Sequence, residues 1–251
     1  TIEPGTVVKL DEYCWLNVDG VLLAQGTSSN QIVFTANWDD TYGGDTGDGS
    51  YGWDTIRLDG NGSVLDYVLV RYGGRSSASS SGYRSMLYIN SNSVVRNSTI
   101  EHQQGYTNMP YAAVSIGALG QLRDSLIRDN MYGVYVTSSS ASLVGNTIIS
   151  NSYPIVQHPN VSLDYSGNAL TGNTYDAVVV FANNDITADA TWSSALTNGL
   201  PYVLHGYYYS VWHYDLEIRA GATLTIEPGT VVKLDEYCWL NVDGVLLAQG
   251  T

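Results

Sequence analysis

The sequence predicts an all-β solenoid of stacked parallel strands, and three observations predict it. A 27-residue stretch, TIEPGTVVKLDEYCWLNVDGVLLAQGT, occupies 1–27 and returns unchanged at 225–251. Between the two copies, two short apolar phrases recur in step with each other. No segment carries the apolar period of an amphipathic helix, whereas short apolar runs are punctuated throughout by Gly, Asn, Asp and Ser.

Packing alone would keep the pattern of an element and let its letters drift, because cores tolerate swaps of similar volume. An unchanged recurrence of this length therefore marks a tandem duplication. Residues 1–251 are expected to form a single domain, with 1–224 one unit of an array and 225–251 the start of the next. Such a unit is longer than the about 20–50 residues of one structural repeat, so shorter repeats are expected inside it.

The first phrase reads LDYVLV (65–70), RNSTIE (96–101), RDSLIR (123–128), VGNTII (144–149) and SGNALT (166–171). Its apolar anchors are Leu69, Ile100, Ile127, Ile148 and Leu170, spaced 31, 27, 21 and 22 apart. Three residues before each anchor stands Asp66, Asn97, Asp124, Gly145 or Gly167. These types tolerate a left-handed backbone, so the column reads as a corner repeated on each coil. The second phrase pairs Ile56 with Leu58, Leu87 with Ile89, Val114 with Ile116, Val134 with Val136 and Val178 with Val180. At Ile155 it is broken by Gln157. Both columns share a coil of about 21–22 residues, and the longer steps hold polar insertions at 73–84 and 102–110. Columns that stack on themselves in this way require parallel strands.

The run TIEPGTVVKLDEYCWLNVDGVLLAQGTSSNQIVFT resembles the opening coils of the right-handed parallel β-helix repeat proteins of prokaryotic cell surfaces, which share the pectate-lyase-like superfold. WDTIRLDGNGSVLDYVLVRYGG and NSTI are similar to the coils that follow in that family. The resemblance implies a right-handed single-stranded parallel β-helix of roughly ten coils, about 48 Å per unit at the spacing of stacked strands. It implies the fold and leaves the activity open, because this architecture hosts lyases, hydrolases, esterases, adhesins and inert stalks.

Composition narrows the partners. Twenty-four acidic residues against 10 basic ones give a net charge of −14, which argues against nucleic acid and anionic membrane surfaces. No apolar run is long enough for membrane insertion. Twenty Tyr and six Trp against two Phe place most rings where a polar handle is useful, at exposed or half-exposed positions. Cys14 and Cys238 are one position in two copies, too far apart to bridge. Parity with Leu16 and Val18 predicts a buried, inert thiol at this position.

The most chemical-looking stretch is DDTYGGDTGDGS (39–50). Its Asp39, Asp40, Asp45 and Asp48 are candidate calcium ligands on a flexible, glycine-rich loop, and calcium is the one cofactor the sequence suggests. A solvated acidic turn is the alternative. Were the chain an enzyme, Glu101, Asp129 and Arg128 would carry the chemistry, since enzymes of this architecture set carboxylates and basic groups on neighbouring coils. The first ladder puts Arg71, His102 and Asp129 level, stacks Glu101 against Arg128, and provides no second carboxylate beside Glu101. A cross-strand charge ladder is therefore favoured over a catalytic site. The paired-Asp and GHG signatures of β-helix polygalacturonases are missing, and His158, His205 and His213 read as isolated. The aromatic run GYYYSVWHYD (206–215) would serve as a sugar-stacking platform, a contact between molecules or ordinary strand. Glycosylation sequons stand at Asn61, Asn97 and Asn160, the second in competition with a corner role.

The expected function is structural and non-catalytic: a tandem unit of an extracellular β-solenoid filament, sheath or surface stalk. Its partners would be itself, head to tail, and surface polysaccharide. The rival is a surface-displayed carbohydrate-binding or polysaccharide-degrading β-helix.

Overall fold

The computed structural model describes residues 1–75, 85–105, 112–182, 184–206 and 214–250. Among these residues there is no helix, and therefore none long and apolar enough to cross a membrane. Every named strand pairing is parallel.

The chain winds as a β-helix with three strands to a coil. The first coil contains β1 (Val7–Leu10), β2 (Leu16–Val18) and β3 (Leu23–Gln25). The second contains β4 (Ile32–Ala36), β5 (Ile56–Leu58) and β6 (Val64–Asp66). The third contains β7 (Val68–Arg71), β8 (Leu87–Ile89) and β9 (Val94–Arg96). Then come β10 (Thr99–Glu101), β11 (Ala112–Ile116) and β12 (Gln121–Arg123), followed by β13 (Leu126–Arg128), β14 (Tyr132–Val136) and β15 (Ser142–Val144). Later coils are less regular: β16 (Thr147–Ile149), β17 (Tyr153–Gln157), β18 (Val178–Phe181), β19 (Ala190–Trp192), β20 (Tyr202–His205), β21 (Tyr214–Ile218) and β22 (Thr223–Ile226). The recurrent stretch closes the chain as β23 (Val232–Leu234), β24 (Cys238–Val242) and β25 (Val245–Ala248).

These strands stack as β1-β4-β7-β10-β13-β16, as β2-β5-β8-β11-β14-β17-β18-β20-β23, and as β3-β6-β9-β12-β15. Two short stacks, β19-β22-β25 and β21-β24, complete the far end. The nine-stranded stack contains eight steps, a rise of about 38 Å at about 4.8 Å each. That falls short of the 48 Å expected because the polar insertions consume residues without adding a level.

Alternation packs the interior. The apolar-x-apolar triplets align as the second phrase predicts: Ile56, Leu87, Val114, Val134, Ile155 and Val178 are level, as are Leu58, Ile89, Ile116, Val136, Gln157 and Val180. Their apolar members are buried, each contributing about 1.5–3 kcal/mol through removal from water. Gln157 is buried in the same column. Its amide donates to the Val161 carbonyl at 3.0 Å and accepts from the Tyr165 hydroxyl at 2.9 Å, which satisfies both ends.

The first phrase is out of register at its first member. Ile100 is level with Val70, not Leu69, and Asn97 therefore matches Tyr67 rather than Asp66. The left-handed corner residues are Tyr67, Asn97, Asp124 and Gly145, with φ of 49°, 50°, 47° and 74°. Asp66 and Gly167 are not left-handed. A second left-handed corner follows the same strands at Tyr72, His102, Asp129 and Ser150, with φ of 61°, 55°, 57° and 57°.

Just inside each corner runs a ladder of polar side chains that satisfies the turning backbone. In one, the Ser98, Ser125, Asn146 and Asn168 side chains accept from the backbone N–H groups of Val68, Ser98, Ser125 and Asn146 at 3.0–3.2 Å. In the other, Asn130, Asn151 and Asn173 accept from the N–H groups of Gln103, Asn130 and Asn151 at 2.9, 3.2 and 3.1 Å. Their amides donate onward to carbonyls such as Ile127 and Ile149, both 3.0 Å from Asn151 Nδ2. The two corners that bring Glu101, His102 and Asp129 to one flank are fixed by these ladders.

Candidate functional site

The outer face of the six-stranded sheet brings together the titratable residues singled out in the sequence. Arg71, Glu101 and Arg128 are level on β7, β10 and β13. Arg71 therefore stands beside Glu101, one position from the His102 and Asp129 column in which the sequence reading had placed it. Tyr72 occupies that place.

Glu101 is the buried centre, 4% exposed. Arg128 forks onto its Oε2, with Nε at 2.9 Å and Nη2 at 2.8 Å. Arg71 Nε lies 3.5 Å from its Oε1 and 3.8 Å from Asp39 Oδ2. The Arg71 guanidinium also donates to the Tyr72 hydroxyl and lies over that ring, 4.3 Å from its centroid. Tyr72 stacks on His102 at 5.5 Å and leans on Trp38 at 4.6 Å. The corner is thus a continuous set of alternating charges and rings.

A second carboxylate does come near Glu101, against expectation. The ligating atoms of Glu101, His102 and Asp129 lie within 4.8 Å of one another, the one such group among the described residues. Donors of these types suit a divalent ion. However, Glu101 Oε2 is already held by Arg128, and Oε1 faces both Arg71 and His102 Nε2, the latter at 4.0 Å. Asp129 Oδ2 is itself 3.5 Å from Arg128 Nε. A cation here would have to displace a guanidinium and sit beside another. Glu101 is thus flanked by guanidinium groups on both neighbouring strands, in the manner of a cross-strand charge ladder.

No three of the four aspartates of loop 39–50 bring their carboxylates within 4.8 Å of one another. Asp39 is buried: its Oδ2 accepts from the Thr35 hydroxyl at 2.6 Å and its Oδ1 from the Thr41 N–H at 3.2 Å. Burial alone would raise its carboxyl. The hydrogen bonds from Thr35 and Thr41, with the Arg71 guanidinium, outweigh that and hold it below the usual carboxylate range. Asp40, Asp45 and Asp48 are exposed.

Other sequence readings fare unequally. Cys14 is exposed, whereas Cys238 is 7% exposed. The two copies differ in their neighbours: Cys238 is level with Tyr214 of the preceding coil, whereas the first copy pairs only with the coil that follows it. Burial, with Asp235 nearby, pushes the Cys238 thiol up to about 11. His205 is not isolated, since its Nδ1 is 2.5 Å from Asp235 Oδ2. Nothing in the sequence flagged that pair, 30 residues apart in the least regular part of the chain. His158 is pushed down by burial. Tyr13 and Trp15 are exposed, 46% and 59%. The sequon amides are engaged: Asn61 with the Asn92 N–H, Asn97 with Asp66, and Asn160 with Thr187. His213 and residues 207–213 of the aromatic run lie outside the described residues, as do 76–84 and 106–110 of the two insertions.

No family model, curated protein or solved structure matches the chain, so the fold rests on its own topology.

Proposed function

We propose that the chain is a non-catalytic structural unit of an extracellular tandem β-solenoid, a stalk, sheath or filament of the kind its opening coils resemble on prokaryotic cell surfaces. One observation carries this reading. The recurrent coil pairs through its following edge at 1–27 and through its preceding edge at 225–251. Strands β1, β2 and β3 pair forward with β4, β5 and β6, whereas β23, β24 and β25 pair backward with β20, β21 and β22. Within one chain, both faces of one coil sequence are therefore seen in use.

Burial follows the same division. Ala24 is fully buried and Ala248 exposed, while Cys238 is buried and Cys14 exposed. Leu234 and Val242, exposed at 52% and 44%, repeat Leu10 and Val18, which the following coil half-buries. Exposed apolar strand edges of this kind are what a solenoid covers by adding the next coil. The local conformation is shared: Gly5 and Gly229 have φ of 82° and 80°, and Tyr13 and Tyr237 have 62° and 61°.

The test is a two-unit chain in which residues 28–251 are appended after Thr251. Small-angle scattering should give one rod longer than the single unit by roughly 40 Å, about eight strand spacings. Two bodies tumbling independently would refute the reading.

A further inference from the structure

The acidic loop belongs to the coil before it. After β4 the chain leaves the sheet at 37–51 and turns back along the flank of coil 1–27. Asn37 Nδ2 donates to Asp11 Oδ1 at 2.9 Å, and Lys9 Nζ donates to the Gly44 carbonyl. Gly43, with φ of 71°, packs on Val7 so closely that a Cβ added there would lie 3.9 Å from Val7 Cβ. Beyond the loop, Arg75 pairs with Glu12 at 3.2 Å and passes over the rings of Tyr51 and Tyr13 at 3.3 and 5.7 Å.

The loop is shaped from within. Trp38 Nε1 donates to the Tyr51 carbonyl at 2.7 Å, the Thr46 hydroxyl donates to the Asn37 carbonyl at 2.7 Å, and Asp39 is buried at its root. It is a strap preformed by its own unit and laid over the preceding coil.

In the second copy, Val231, Lys233, Asp235, Glu236 and Tyr237 take the places of Val7, Lys9, Asp11, Glu12 and Tyr13. All five are exposed, Val231 by 53%. We propose that this patch is the receptor for strap 37–51 and Arg75 of a following copy of the chain. The proposal rests on the tandem reading and adds a lateral clasp to the stacking of strands. Asp235 is already arranged for it: Oδ2 takes His205 of the unit before it, while Oδ1 receives the Glu236 N–H at 3.0 Å. In the first copy Asp11 Oδ1 receives the equivalent Glu12 N–H together with Asn37. The residue can therefore hold the end of one unit and the strap of the next on different oxygens.

The spacing at Gly43 supplies the test, because a disulfide needs Cβ atoms about 3.5–4.5 Å apart. In the single chain, with Cys14→Ser, the pair Val7→Cys and Gly43→Cys should close under mild oxidation, read as a mobility shift and a bridged tryptic peptide. In the two-unit chain, Val231→Cys with Gly43→Cys in the appended unit alone should close in more than half of the molecules. Failure of the single-chain bridge overturns the strap itself. A single-chain bridge without the two-unit bridge overturns its role between units. In that event scattering separates the claims: a lengthened rod leaves the tandem reading standing, and two independent bodies remove both.

Discussion

Glu101→Gln separates a charge ladder from an active site by the sign of its effect on stability. The substitution keeps shape and removes charge from a side chain only 5% exposed. It weakens two short bonds from Arg128, at 2.8 and 2.9 Å, and leaves the 12%-exposed Arg71 with Asp39 as its nearest anion at 3.8 Å. Hydrogen bonds to charged groups contribute about 1.5–3 kcal/mol, and breaking a buried pair by removing one partner costs about 3–5. Arg128 is 45% exposed and screened, so we take the lower end, about 2–3 kcal/mol in all. For a chain of this size that is a fall in Tm of about 4–12 °C. Differential scanning calorimetry on the two proteins reads it directly. A carboxylate kept for chemistry at a cost in stability would behave oppositely, with Tm unchanged or raised in the variant. That result, or a defined product from pectin-like or alginate-like glycans that Glu101→Gln abolishes, would refute the structural reading.

Other expectations follow from the same geometry. Asn151→Ala strips an acceptor from the Asn130 N–H and a donor from two carbonyls inside the corner; thermal unfolding should show a loss of about 2–4 kcal/mol, or about 4–16 °C. A Tm within 2 °C of the parent would mean that the ladder is not a support. Thiol titration near neutral pH should find Cys14 reactive and Cys238 protected, and equal rates would contradict the burial difference. Because the folded Cys238 thiol is raised from 9.0 to about 11, its contribution to stability is complete below pH 9 and lost as pH climbs toward 11. A urea series over that interval should show the decline. Chelator should leave Tm unchanged, since Asp39 is committed within the fold and the loop's other three aspartates are exposed; a fall with chelator, reversed by calcium, would assign the cation to loop 39–50.

The sequence showed the second phrase correctly because its first four apolar pairs flank Arg57, Tyr88, Ser115 and Tyr135, so each fixes its own face, and the spacing carried that phase to the uniformly buried Val178–Val180. LDYVLV failed because Val68, Leu69 and Val70 are all buried, on both faces of the sheet, and alternation then has no phase. A slip of one residue there exchanged inward for outward and moved Arg71 away from Glu101. For Cys14, parity predicted burial and the thiol is exposed, because burial depends on the neighbouring coil, which parity does not contain. The strap's contact with the preceding coil was not legible for a related reason. Its contacts run through a glycine, a backbone carbonyl and residues of another coil, none of which leaves a pattern in the loop's own letters.

The distribution of sheet ends has a mechanical consequence for the proposed array. The nine-stranded stack finishes on β23, the copy of β1, which begins the six-stranded stack of the next unit. The β21-β24 pair likewise finishes on the copy of β2, and β19-β22-β25 finishes on the copy of β3. These three stacks therefore run through the recurrent coil and become different stacks beyond it, so the junction is a splice and not a seam. Hydrogen-bonded ladders start and stop at staggered levels, like overlapped plies in a rope, and no cross-section through the junction meets the ends of all of them together. Tension along the fibre pulls along the ladder hydrogen bonds themselves, and would have to open intact ladders at a unit boundary just as it would in the middle of a unit.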